Sequence, residues 1–135
     1  MIHLDTSFLI RALLRDTREA ARLHGWLRDG EPVAISSIAW AEFLCGPLSP
    51  AETDAVARLL GDCVPFAGPD AALAARLFNQ SGRRRGSLTD CMIAAVALGA
   101  DAALATANPG DFAPLSDAGL SLTPCPPLPV GRGGT

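Results

Sequence analysis

The sequence predicts an α/β domain: a parallel sheet with helices on both faces. Three observations predict it. Short apolar runs of strand length alternate with stretches of helical spacing. The runs are apolar at successive positions, as strands buried on both sides are. With 135 residues, 49% of them hydrophobic, the chain can bury one core, and no repeat or compositional break suggests a second.

Ile2-His3-Leu4 is the first strand, and Asp5 follows it directly. Residues 6–14 put Phe8, Leu9, Ala12 and Leu13 on one helical face, with Asp5 or Thr6 placed to cap them. A second helix spans 17–28, with Leu23, Trp26 and Leu27 as its apolar face and Gly30 as its stop. Pro32-Val33-Ala34-Ile35 is the second strand. It feeds Ile35-Ser36-Ser37-Ile38-Ala39-Trp40-Ala41-Glu42-Phe43-Leu44, a helix apolar nearly all round and therefore expected to be buried. Gly46-Pro47 stops it. Ser49-Pro50-Ala51-Glu52 gives the next helix a cap, a first-position proline and an acidic third residue, and that helix runs to residue 60.

Cys63-Val64-Pro65-Phe66 is a third strand, which its proline assigns to a sheet edge. Residues 69–80 are helical, with Leu73 and Leu77 four apart. Ser81-Gly82-Arg83-Arg84-Arg85-Gly86 is a basic loop. It precedes the most apolar helix, residues 87–98. Ala102-Ala103-Leu104-Ala105 is the fourth strand, residues 106–112 carry turn chemistry, and Leu120-Ser121-Leu122 is the last strand. Proline and glycine dominate from Pro124. The chain thus divides into one domain, 1–123, and a Pro/Gly-rich tail, 124–135, expected to be extended.

Composition narrows the function. The net charge of −3 argues against a protein that coats nucleic acid indiscriminately. No apolar run approaches the roughly 20 residues of a membrane span, and the first residues lack the pattern of a signal peptide. A cytoplasmic protein with no membrane association is expected. Cys45, Cys63, Cys91 and Cys125 form no CxxC pair and have no histidine at zinc spacing; three lie in apolar segments, so buried reduced thiols are expected. There is no lysine, so every basic side chain is arginine. Arg11, Arg15, Arg18 and Arg22 would form a stripe if their two helices were continuous. Asp16-Thr17 breaks them, so a solvated face is favoured over a phosphate track.

Four acids stand out. Glu42 lies mid-helix with Ile38, Ala39, Cys45 and Gly46 at the neighbouring helical positions, none able to pair with it. Asp90 opens the apolar helix 87–98, Asp5 ends the first strand, and Asp111 lies in the loop after the fourth. Ligands in parallel α/β sheets collect at the carboxyl ends of the strands. Each acid also has a structural reading: Asp5 a helix cap, Asp90 the acidic partner of Ser87 in a capping box, Asp111 a turn residue, Glu42 a residue on a narrow exposed face. If they converge, two carboxylates about 4 Å apart repel by roughly 4 kcal/mol at an effective dielectric of 20. A hard divalent cation relieves that repulsion, and oxygen ligands select Mg²⁺ or Mn²⁺ over zinc. A cation so held can acidify a water and neutralise a phosphodiester.

Leu4-Asp5-Thr6-Ser7, Ala41-Glu42, Thr89-Asp90-Cys91-Met92-Ile93-Ala94-Ala95 and Ala105-Thr106-Ala107-Asn108-Pro109-Gly110-Asp111-Phe112 together resemble the four signatures of the PIN domain. In particular they resemble its small stand-alone form, the VapC-type toxin of a toxin–antitoxin pair, over residues 1–123. The resemblance implies a three-layer α/β/α sandwich around a parallel sheet of four to five strands. It implies an endoribonuclease that uses Mg²⁺, with Mn²⁺ as a substitute. Asp5, Glu42 and Asp90 match the metal-holding acids. Asp111 is assigned as the fourth catalytic acid, although Asn108 occupies a position where some members carry it. Ser7 and Thr106 match supporting hydroxyls. An antitoxin protein, a homodimer and an RNA substrate follow as partners. Arg83, Arg84 and Arg85 lie just before Asp90 and are the candidates to bind the RNA phosphates.

His3 shares a strand face with Asp5 and could act as an acid, but a structural role is favoured for it and for His24. A dehalogenase-like phosphatase also starts with a strand-end Asp. It needs a second Asp where Ser7 stands, and a lysine that the chain lacks. The remaining alternative is a non-catalytic or housekeeping PIN-fold module that binds or processes RNA without an antitoxin.

Overall fold

A computed structural model describes residues 1–128. The elements are β1 (Ile2–Leu4), α1 (Thr6–Ala12), α2 (Arg18–Arg28), β2 (Val33–Ala34), α3 (Ser37–Leu44), α4 (Pro50–Leu60), α5 (Gly68–Gln80), α6 (Leu88–Gly99), β3 (Ala103–Ala105) and α7 (Pro109–Phe112), followed by a 3₁₀ turn, Ala113–Ala118.

The sheet is parallel with order β2-β1-β3, so β1 is its middle strand. Ile2, His3 and Leu4 are all buried, as a strand covered on both faces must be. The other two expected strands are reduced to one bridge each at the edges. Val64 pairs in parallel with Ser36, and Leu122 with Leu104. At the first of these the cause is local. After Ser36 the chain turns into α3, so the next amide on the Val64 side, that of Phe66, goes to the Ser37 hydroxyl instead of a strand carbonyl. Counting the bridges, five parallel segments make up the sheet.

Helix α1 stops at Ala12, two residues short of the sequence expectation. Thr17 fixes the corner from both sides: its hydroxyl donates to the Arg11 carbonyl at 2.8 Å and accepts from the Ala20 amide at 3.0 Å as the cap of α2. The turn needs a left-handed residue, and Asp16 takes it at φ 58°. Phe8 of α1 stacks on Trp26 of α2 with ring centres 5.5 Å apart. The core continues through Leu23, Ala39, Phe43, Leu77, Ile93 and Phe112. Among the described residues no helix is long and apolar enough to cross a membrane.

Four expectations need correction. Helix α3 begins only at Ser37, capped by Ser36, and it is not buried all round: Ala39 and Phe43 face inward, while Glu42 and Leu44 are exposed. Only Cys91 is a buried thiol; Cys45 is exposed, and Cys63 and Cys125 are half-buried. The segment expected as turn, 106–112, ends in the short helix α7. The arginine stripe is not simply solvated, because Arg11 and Arg18 both turn onto buried Glu19. Within the tail, residues 124–128 lack regular structure and run beside α2; the rest of it lies outside the described residues.

Candidate active site

The site grows from the end of β1. Backbone pairing with β3 continues one step past the strand, where the Asp5 amide donates to the Ala105 carbonyl at 2.8 Å. Asp5 then takes the cap position of α1 in an extended conformation, yet its carboxylate caps nothing. It is buried and turned across the strand ends instead. The Ser7 hydroxyl donates to its Oδ2 at 2.6 Å and the Thr106 hydroxyl donates to the same atom at 2.8 Å. Ser7 and Thr106 lie 3.2 Å apart, and the Ala107 amide closes the network on the Ser7 oxygen at 3.1 Å. One carboxylate oxygen is thus held by two hydroxyls, and the geometry of Asp5 is fixed from α1 and from the segment after β3 together.

Glu42 comes to the same end of the sheet on α3. The Thr6 hydroxyl lies 3.0 Å from its Oε1 and 3.1 Å from the Ala39 carbonyl, tying the start of α1 to α3. Asp90 stands on the first turn of α6. The capping-box reading of it fails, because Ser87 makes no side-chain cap and donates to the Arg84 carbonyl at 2.7 Å. Asp111 is on the first turn of α7. Asn108 is exposed, with its amide on the Thr106 hydroxyl at 3.0 Å.

Charge links the four acids. Burial, then Asp5, Asp111 and Glu42 in that order, push the Asp90 carboxyl up to about 6; Arg84 opposes them only weakly. Four carboxylates from distant parts of the chain therefore share one field, Asp111 among them. No ion pair engages any of them among the described residues. Nor do any three Asp, Glu, His or Cys side chains there stand close enough together to grip an ion as they are. The donor set nonetheless suits a hard divalent cation: every side chain offers oxygen, and Asp5 keeps its second oxygen free of hydrogen bonds. Glu42 and Asp111 are exposed, so their carboxylates can rotate inward at small cost.

The basic loop divides. Arg84 reaches from it to the Asp111 carbonyl at 3.2 Å and so borders the acids. Arg83 turns away, donating to Asn79 at 2.6 Å and lying over the Phe78 ring. Arg85 is exposed. His3 is buried in the middle strand with both ring nitrogens unpartnered among the described residues, and burial lowers its pKa, so it stays neutral and touches none of the acids. His24 is exposed on α2.

Sequence reasoning missed two positions. Thr6 was considered only as a cap, although its place beside Asp5 at a helix start puts its hydroxyl within reach of α3. Glu19 went unremarked, although it has an arginine directly before it and another eight residues back.

Comparison with known proteins agrees with this architecture. No curated protein matches the chain. Among solved structures it is similar to FitAcB from Neisseria gonorrhoeae, at 25% identity and TM-score 0.69, over 92% of this chain and 97% of the other. It is similar to VapBC2 from Rickettsia felis bound to a promoter DNA fragment, at 23% identity and TM-score 0.68, over 91% and 98%. It is also similar to VapBC-5 from Mycobacterium tuberculosis, at 26% identity and TM-score 0.55, over 90% and 94%. The PIN domain family matches residues 2–115, which takes in Asp5, Glu42, Asp90 and Asp111 alike. The chain belongs to the PIN domain family, whose members are generally nucleases.

Proposed function

We propose that this protein is a divalent-metal-dependent endoribonuclease, and the toxin of a VapBC-type toxin–antitoxin pair. The observation that carries the reading is the gathering of Asp5, Glu42 and Asp111 around half-buried Asp90, whose carboxyl is pushed up to about 6 by burial first and then by these three charges. A cluster of that kind destabilises the fold and is retained where a cation is to be bound. Asp5, Glu42 and Asp90 hold the metal, and Asp111 completes the negative rim. Mg²⁺, or Mn²⁺ in its place, supplies positive charge at the scissile phosphate and acidifies the water that attacks it. The chain does the positioning. Ser7 and Thr106 lock Asp5, Thr6 steadies Glu42, and Arg84 stands beside the acids to meet a phosphate as Arg83 and Arg85 collect the strand further out.

An antitoxin partner is supported by the similar structures, several of which are toxin–antitoxin complexes. It is supported too by an apolar cavity of about 240 Å³ between α1 and the start of α4, lined by Ile10, Leu13, Leu14, Phe43, Pro47 and Leu48. Leu13 and Leu14 are 41% and 50% exposed, a cost that a partner's apolar helix removes. A homodimer belongs to the same reading, and sedimentation of the purified chain tests it.

The test of activity is direct. Purified protein free of partner cuts single-stranded RNA in Mg²⁺, stops in EDTA, and stops on Asp5→Asn or Glu42→Gln with its circular dichroism unchanged. Mg²⁺-loaded protein that binds the ion but leaves every RNA intact refutes the reading.

A further inference from the structure

Glu19 is the only acidic residue besides Asp5 to be fully buried among the described residues, and it lies outside the acid cluster. Its side chain is 3% exposed, and two arginines meet it from opposite sides: Arg11 Nε donates to Oε1 and Arg18 Nε donates to Oε2, each at 3.3 Å. Both arginines remain about half exposed, at 52% and 49%. Each spends its Nε–H on the carboxylate, and among the described residues no hydrogen bond takes up the Nη atoms of either. The guanidinium ends are therefore held rigidly with their outer donors free. Arg22 lies one turn further along α2 over the Trp26 ring, 5.2 Å from its centre. Two cations thus flank one anion, with a third arginine on the next turn of α2.

Arg18 borders a groove that leads to the acids, and Arg22 borders its continuation. A cavity of about 280 Å³ is lined by Arg18, Glu19, Thr106, Ala107, Pro109 and Thr123. Thr106 is the residue whose hydroxyl holds Asp5, so the cavity and the acid cluster share a wall. A second cavity of about 180 Å³ continues from Arg18 past Arg22 to Leu128. A nuclease must hold the strand on either side of the bond it cuts, and the acids repel that strand everywhere else. Bidentate donors on a fixed guanidinium suit a phosphate better than they suit a base edge.

We infer that Arg18, positioned by Glu19 and backed by Arg11 and Arg22, binds a backbone phosphate of the RNA strand flanking the scissile bond. This rests on the ribonuclease reading and deepens it: the strand leaves the acids over Thr106 and Ala107 and runs along the start of α2.

The experiment measures cleavage of a fluorescein-labelled single-stranded RNA of mixed sequence in Mg²⁺ over a range of NaCl. Arg18→Gln keeps an N–H for Glu19 while removing the charge, and Arg15→Gln removes the same charge from the exposed α1–α2 corner outside the cavity. Arg18→Gln is expected to raise KM about tenfold with little change in kcat. It should also lower the slope of log KM against log salt by about 0.7, the share of one phosphate contact on a single strand. Arg15→Gln should leave both near wild type. Equal KM values and equal slopes for wild type and Arg18→Gln overturn the phosphate site while the nuclease reading stands. So does an equal loss in both variants, which reports bulk charge only. Wild-type protein that cuts no RNA overturns both. Matching thermal melts for the two variants exclude misfolding as the source of the KM change.

Discussion

Replacing Asp90 with asparagine should stabilise the protein while destroying its activity. The carboxyl titrates near 3.8 in an unfolded chain and at about 6 in the fold. The folded state therefore binds the proton more tightly, and stability falls as pH rises through the window between those values. Above pH 6 the ionised carboxylate costs the fold about 1–2 kcal/mol, because solvent screens this half-exposed side chain and cuts the cost below the full value of the shift. Asparagine keeps the shape and removes the charge. The assay is thermal unfolding by circular dichroism in EDTA, wild type against Asp90→Asn, at a series of pH values. Below pH 4 the two should melt together. The variant should then gain progressively, reaching an advantage of roughly 5 °C at neutral pH. Buried His3 acts in the opposite sense in part of this range, since its lowered pKa makes stability fall as pH drops below 6.5. It is common to both proteins, so the difference between them isolates Asp90. Adding Mg²⁺ should raise the wild-type melting temperature more than the variant's. A difference that does not vary with pH, or a variant less stable than wild type at pH 7.5, would refute the reasoning.

Other outcomes follow from single contacts. Ser7→Ala removes one of two hydroxyls on a buried carboxylate; it should cost about 1–2 kcal/mol in urea unfolding and lower kcat more than it raises KM. Arg11→Ala with Arg18→Ala strands the Glu19 carboxylate without a partner and should cost several kcal/mol, whereas Glu19→Gln leaves only half-exposed arginines and should cost less; urea midpoints of the two variants compare them. Leu13→Glu places a charge in the apolar cavity and should abolish binding of the antitoxin in a pull-down while RNA cleavage continues.

The sequence makes the skeleton of the fold legible because periodicity and punctuation are local. The middle strand, the helix start at Ser49 and the end of that helix at Leu60 all follow from neighbours in the chain. Edge strands are less legible, since they depend on how far a ladder can be extended, and both stop at a single pair. Burial on α3 was misread because composition says how apolar a helix is but not which neighbours cover it: Leu44 is exposed beside a short, open corner. The acids were recognisable as misfits within apolar segments. Their roles as caps were not decidable from the chain alone, because Asp5 and Ser87 do occupy cap positions and simply spend their side chains elsewhere. What links Asp5 to Thr106, or Arg11 to Glu19, is tertiary, and no spacing rule reveals it.

The bond between Asp5 and Thr106 joins residues 101 positions apart. During synthesis the first acid emerges about a hundred residues before the hydroxyl that orients it and the last acid at position 111. A chain interrupted anywhere before Thr106 therefore lacks the hydroxyl that orients Asp5 and the acid at position 111, and cannot assemble the cluster.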